Sequence, residues 1–421
     1  MPDDAPAWVD HVIWWHVYPL GFTGADTTGV DRTPVPRLDH LVAWLDDAVE
    51  LGVNGLALGP VFTSSSHGYD TIDHLHVDPR LGGDDAFARL VDAARARGLR
   101  IMLDGVFNHV GPEFVGLDGD RAGWLRRERD GSPATFEGHD GLLALDHDNP
   151  DVAAYVTEVM THWLEAGADA WRLDAAYAVP PQFWPGVLSR VRAAHPGTYV
   201  LGEMLHGDYA EYVERSGLDS VTQYELWKAV WSSLSDANFF ELDWTLQRHN
   251  QLLDSFVPYT FVGNHDVTRI ATAIADERHQ GHATALLLTL AGTPAIYYGD
   301  EQGLNGRKEE RVGGDDAVRP AFPAEPQELP AAAAEVRRVH QQLIGVRRRH
   351  PWLHIARSET VTLTNETLVL TLAGKSTLTL ALNLADDALV FEASGSVLAG
   401  AADPRGDGRW EVPGHGWALV G

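Results

Sequence analysis

Eight short apolar runs, spaced by amphipathic stretches, are what most limits how this chain can fold: HVIWWHVYP, GVNGLALGP, RIMLDGVF, ADAWRLD, TYVLGE, DSVTQYE, YTFVGN and AIYYGD. Their length, their β-branched and aromatic content and the Gly, Pro or acidic residue that closes most of them mark buried strands. Between most of them apolar residues recur at helical spacing, over 38–50, 84–97, 151–166, 182–192, 209–216, 282–290 and 331–348. Strands alternating with helices pair in parallel, because each helix carries the chain back to the end of the sheet where it started. Eight such units predict a (β/α)8 barrel, which holds its chemistry at the C-terminal ends of the strands. A doubly wound sheet is the rival, and it is weaker because no GxGxxG follows the first strand.

The alternation breaks twice. Over 110–146 the third strand leads into a long Gly- and Asp-rich stretch with Trp124 and Phe136, read as a short excursion over the barrel mouth, since long loops in compact domains are usually functional. After Arg349 the pattern becomes TVTLTNETLVLTLAGKSTLTLALNL, the alternation of an antiparallel β-sandwich. The predicted organisation is a catalytic barrel over 1–350, including the reduced loop domain at 110–146, and a C-terminal β domain over 351–421.

Composition narrows the chemistry. With no Cys there is no disulfide, thiol nucleophile or thiolate zinc site, which leaves carboxylates and His. A net charge of −28, from 60 Asp+Glu against 32 Lys+Arg, disfavours nucleic acid, anionic membranes and polyanionic substrates. No apolar run is long enough to span a bilayer, and MPDDAPAW has neither the basic start nor the apolar core of a signal peptide, so a cytoplasmic protein is expected. A neutral small molecule is the partner that fits.

The strand ends carry DGVFNH at 104–109, Arg172 and Asp174, Glu203, then Asn264, His265 and Asp266, and finally Asp300 and Glu301. One charged residue at a strand end is ordinarily a helix cap or a solvated loop residue. Several on the mouth of one barrel point to an active site. Arg172 and Asp174, two positions apart, face the same side of their strand.

DGVFNH, ADAWRLDAA, LGE and FVGNHD resemble, in order, the four sequence blocks of the alpha-amylase superfamily of retaining alpha-glycosidases; WWHVYPLGF, HGYDTIDHLHVDPRLGG, LDHDNPDV and YYGDE extend the likeness over nearly the whole chain. The resemblance implies that Asp174 is the nucleophile, that Glu203 is the general acid/base with a raised pKa, and that Asp266 holds sugar hydroxyls and favours the distorted ring. It further implies that Arg172 keeps Asp174 ionised, that His109 and His265 bind sugar hydroxyls, and that Tyr69 is a platform under the sugar with Asp70 beside it. Arg269 is expected to support the carboxylates, Asp104 to orient Arg172, and Asn108 to fix the following loop. The implied activity is cofactor-free hydrolysis of short alpha-glucosides or maltooligosaccharides through a glycosyl-Asp intermediate. A glucosyltransferase or isomerase would share that intermediate, and a catalytically silent binding barrel would have no reason to keep all three acids.

Departures from the family pattern matter as well. Many endo-acting members carry Lys-His shortly after the nucleophile, where this chain has Tyr177 and Ala178. At the position of a calcium-binding Asp stands Ala144, so no calcium is expected there, no metal is assigned elsewhere, and Asp118 and Asp120 read as a solvated acidic turn. Arg319, in GGDDAVRP, is expected to pair with Asp70 and close the non-reducing side of a pocket, while Ala175 resembles members that prefer α-1,4 links. Trp14, Trp15, Trp163, Trp171 and Trp227 read as packing; Trp124, Phe136 and Phe240 are candidates for sugar stacking. The charged stretch at 306–316 reads as a solvated loop that could close as a lid.

Overall fold

The structure is a computed structural model and describes residues 5–311 and 313–421. Its centre is a barrel of eight parallel strands, β1 (Trp14–Val17), β2 (Gly55–Leu58), β3 (Arg100–Gly105), β4 (Ala170–Leu173), β5 (Tyr199–Gly202), β6 (Ser220–Val221), β7 (Tyr259–Phe261) and β8 (Thr293–Tyr297). Each lies beside its neighbours in the chain, in the order β6-β5-β4-β3-β2-β1-β8-β7. The seam between β6 and β7 closes through a parallel bridge from Thr222 to Tyr259, with the Gln223 N–H donating to the Tyr259 carbonyl at 2.9 Å.

The apolar runs are continuous because both faces of a parallel sheet are covered. Trp14, Ala57, Met102, Ala170, Tyr199, Leu201 and Phe261 fill the barrel interior. Their alternate neighbours Trp15, Leu56, Leu103, Trp171 and Val200 pack outward against the helices. Gly55 answers to this packing, since a Cβ there would lie 2.4 Å from the Trp14 ring.

Helix ends follow the local signals. Asn149 caps Pro150–Glu165 by accepting the Asp151 N–H at 2.9 Å, with Pro at the first turn, and Tyr209–Ser216 stops at Gly217 with φ 69°. The periodic stretch at 38–50 is two helices, Leu38–Ala43 and Leu45–Leu51, meeting at Trp44. Two further helices, Tyr224–Ser235 and Phe240–Leu252, occupy the β6–β7 connection. Among the described residues no helix is long and apolar enough to cross a membrane.

After β3, His109–Val110, His139–Ala144 and Thr135–Phe136 form a small antiparallel sheet at the barrel mouth. Beyond the helix Ala331–Arg349 the chain makes β9 (Arg357–Leu363), β10 (Thr367–Ala373), β11 (Thr377–Asn383), β12 (Leu389–Glu392), β13 (Val397–Gly400), β14 (Asp403–Gly406), β15 (Arg409–Val412) and β16 (Trp417–Val420). These form antiparallel sheets in the orders β9-β10-β11-β16-β13 and β12-β15-β14, enclosing Val369, Ala381, Phe391, Val412 and Val420. Barrel and sandwich meet where His282, on the helix Gln280–Thr289, donates Nε2–H to the carbonyls of Asn383 and Gly416 at 3.1 and 2.9 Å.

Candidate active site

Strand register builds the centre of the site. Asp104 on β3 stands opposite Arg172 on β4, and Arg172 opposite Leu201 on β5, so Glu203 follows on the same mouth. Arg172 Nη1 donates to both oxygens of Asp104 at 2.6 Å and reaches Asp174 Oδ1 at 3.3 Å, while its Nη2 pairs with Glu203 Oε1 at 2.7 Å. One guanidinium therefore serves three acids. Asp174 is 8 % and Glu203 6 % exposed, so each charge depends on its partners rather than on water.

Ala175, in the left-handed region at φ 47°, turns the chain directly after Asp174 and aims its N–H at Glu203 Oε2, 3.0 Å away. A non-glycine residue held there stores strain, which structures tolerate mainly at functional sites. Tyr224 donates its hydroxyl to Glu203 Oε1 at 3.2 Å and accepts from Asn264 Nδ2 at 2.8 Å. Burial and the neighbouring Glu203 charge push the Asp174 carboxyl well above the usual carboxylate range, with Arg172 opposing them. The expectation is that Arg172 keeps Asp174 ionised; it does pair with Asp174, but its charge is divided among Asp104, Asp174 and Glu203 and does not outweigh burial and the Glu203 charge.

Across the mouth, Asp266 pairs with His265 Nε2 and with Arg319 Nη2, each at 2.9 Å. Desolvation raises this carboxyl, but the His265, Arg319 and Arg172 charges outweigh it and hold Asp266 well below the usual range. Tyr69 stacks on the His265 ring at 5.3 Å and 4°, hydrogen-bonds His265 Nε2, and donates to Asp104 Oδ2 at 3.2 Å. It thus joins the Asp266 side to the Arg172 cluster. His109 turns Nε2 to the Tyr69 carbonyl at 3.1 Å and stacks on Phe136 at 4.7 Å; burial lowers its pKa to about 4, so it is neutral at physiological pH.

The predicted Asp70–Arg319 pair does not form. Asp70 accepts from the Ser66 N–H and hydroxyl at 3.0 and 2.5 Å, whereas Arg319 binds Asp266 and Asp315 and lies 4.8 Å over the Tyr18 ring. Both residues still line one cavity of about 1010 Å³, with Tyr18, Tyr69, Phe136 and Asp266. Asp174 and Glu203 are not part of that wall and are joined to it through Tyr69, Asp104 and Arg172. Gly313, Asp315 and Asp316, from the end of the charged stretch, also line the cavity.

Of the three stacking candidates only Phe136 reaches the cavity wall. Trp124 packs on Tyr155 at 5.0 Å beneath Arg121, and Phe240 lies on an outer helix, 51 % exposed. Tyr177 donates its hydroxyl to Glu137 at 2.9 Å, tying the chain after the nucleophile to the excursion. At the Ala144 position the chain is a strand paired with His109, and Asn108 Nδ2 lies 3.1 Å from His109 Nδ1. Sequence reading missed Tyr18 and Tyr224; Tyr18 follows β1, at the same end of the barrel as the acids, which was the available signal.

Behind the wall, Arg269 pairs with Asp300 at 2.9 Å and donates to the carbonyls of Tyr298 and Val318, so it braces the segment carrying Arg319 rather than the reacting acids. Gly263 makes room for this pair, since a Cβ there would lie 2.2 Å from Asp300 Oδ2. Burial raises Asp300 to about 6 and Glu301 to about 7. A carboxyl with a raised folded-state pKa contributes stability that is complete below its unfolded value and is lost as pH rises through the folded one. Glu301→Gln does not titrate, so wild type is expected to lose up to ~3 kcal/mol relative to this variant between about pH 4.5 and pH 7. Thermal unfolding of both proteins across that range checks it, and a constant gap refutes it.

The family model described as alpha amylase, catalytic domain, matches residues 16–130 and 119–360. A cyclomaltodextrinase from Bacillus sp is 32 % identical over 339 residues, 72 % of this chain and 61 % of its own. A maltogenic alpha-amylase from Bacillus acidopullulyticus is 30 % identical over 343 residues, 72 % of this chain and 58 % of its own. The chain thus spans about three fifths of the length of these relatives. A debranching enzyme from Nostoc punctiforme superposes with TM-score 0.82 over 100 % of both chains at 24 % identity, a likeness of fold. On the family match and the identities together, the chain belongs to the alpha-amylase family.

Proposed function

We propose that the protein is a retaining alpha-glycosidase that hydrolyses short alpha-glucosides and maltooligosaccharides in the cytoplasm, without a cofactor. The observation that carries this is the pair of contacts from Arg172, Nη1 to Asp174 and Nη2 to Glu203, which holds two carboxyls side by side. Retention uses two carboxyls about 5 Å apart, whereas inversion needs a wider gap for water.

In this reading the Asp174 carboxylate attacks the anomeric carbon as Glu203 gives its proton to the departing oxygen. Glu203 then takes a proton from water, which releases the sugar from Asp174 with its α configuration restored. Burial and the Glu203 charge raise the Asp174 carboxyl, and the Arg172 cation beside it opposes them and favours the ionised form that attacks. Asp266, kept anionic by His265 and Arg319, is suited to hold two sugar hydroxyls; Tyr69 lies beneath the ring. Relatives named cyclomaltodextrinase and maltogenic alpha-amylase support a glucan substrate, including cyclic ones. A single cavity lined by Phe136 and Glu137 of the excursion together with Asp315 and Arg319 supports a short one.

The test is incubation with linear and cyclic maltooligosaccharides, with products read by proton NMR and by length. Initial α-configured short products are expected, and a β-configured first product overturns the retaining mechanism. Sugars lengthened at the expense of water, on adding a glucose acceptor, would instead make transfer the main reaction.

A further inference from the structure

We propose that Asp276, His279 and His415 form a binding site for a transition-metal dication of the zinc type, at the junction of the barrel with the C-terminal sheets. One ligand-capable atom from each lies within 4.8 Å of the others. His279 ends the turn Glu277–His279 that leads into the helix Gln280–Thr289, and His415 stands just before β16.

Three features favour an ion over a chance meeting of polar groups. First, His279 Nε2 lies 3.0 Å from His415 Nδ1, close to the separation of two imidazole nitrogens on one tetrahedral ion with bonds of about 2.0–2.1 Å. Second, His415 Nε2 sits 2.8 Å from Asp386 Oδ1, a carboxylate that fixes the tautomer with Nδ1 unprotonated, an acceptor that faces His279 Nε2 and is the atom that would turn to the ion, as outer carboxylates arrange for metal-bound histidines. Third, His279 is only 4 % exposed, so an ion bound through its Nε2 would be sheltered from solvent on that side.

Two imidazoles and one carboxylate suit zinc and its neighbours, with the fourth position left to water. They do not suit calcium or magnesium, which take six or more oxygens. Asp276 is now held by Arg278, whose Nε is 3.0 Å from each carboxylate oxygen. That guanidinium is a resident competitor, 55 % exposed and free to swing into solvent when an ion arrives. The ion would then stitch a barrel helix to the sandwich, beside the contacts that His282 makes to Asn383 and Gly416.

The experiment titrates zinc chloride into the full chain, stripped of metal with chelator, by calorimetry and by thermal unfolding. One ion per chain is expected, with a midpoint rise of about 3 °C at a hundredfold excess over Kd. His415→Ala should weaken binding at least ~10-fold and abolish most of that rise, and Asp276→Asn, which keeps the shape, should weaken it in the same sense. Arg278→Ala should tighten it by removing the competitor. No zinc binding by wild type, equal affinity in the His415 and Asp276 variants, or an Arg278 variant that binds more weakly would each overturn the site.

Discussion

Asp174→Asn is expected to lower turnover on every alpha-glucoside by about 10⁴-fold or more, with the fold intact. The amide keeps the shape of the side chain and can still accept from Arg172, which remains anchored by Asp104 and Glu203. What it removes is the attacking oxygen's charge. Burial and Glu203 already make an ionised Asp174 costly, so the neutral amide should leave thermal stability unchanged or slightly higher. Turnover on an aryl alpha-glucoside and the unfolding midpoint, measured together, separate this from a folding defect. Residual activity above a tenth of wild type would remove Asp174 from the reaction.

Glu203→Gln should be equally severe, but in a way that depends on the substrate. General acid catalysis contributes about 10²–10⁴-fold where the departing oxygen needs a proton. Maltose and longer glucans should lose that whole amount, while a nitrophenyl glucoside, whose phenolate leaves unassisted, should lose far less in its first step. The second step then slows for both, because no base remains to activate water, and an anionic nucleophile such as azide should restore turnover. Equal losses on both substrate types, without rescue by azide, would assign Glu203 a structural part only. The Gln amide keeps only one of the two oxygens that the Ala175 N–H and Arg172 Nη2 now bind, and its NH2 end then faces a donor, so the unfolding midpoint is measured beside turnover to separate lost chemistry from lost packing.

How legible the molecule was depended on whether the physics was local. The barrel strands could be read because burial on both faces leaves continuous apolar runs such as GLAL of β2. The helices after β6 could not, because the two-residue strand Ser220–Val221 runs through QYELWK into Tyr224–Ser235 without a break in hydrophobicity. The acids stood out as charges at strand ends. Which cation each would choose did not, since partner choice turns on differences below an ångström: Arg319 took Asp266 and Asp315, and Asp70 took Ser66. His279 and His415, 136 positions apart, gave no local signal of meeting.

The guanidinium shared by Asp104, Asp174 and Glu203 has a bearing on how such a site can change over generations. Loss of Arg172 would strand acids that the barrel has already sealed from water, and loss of any one acid would alter the charge balance felt by the other two. Drift at these four places is therefore tied together, and a new chemistry on this scaffold has an easier route through the loops around the mouth.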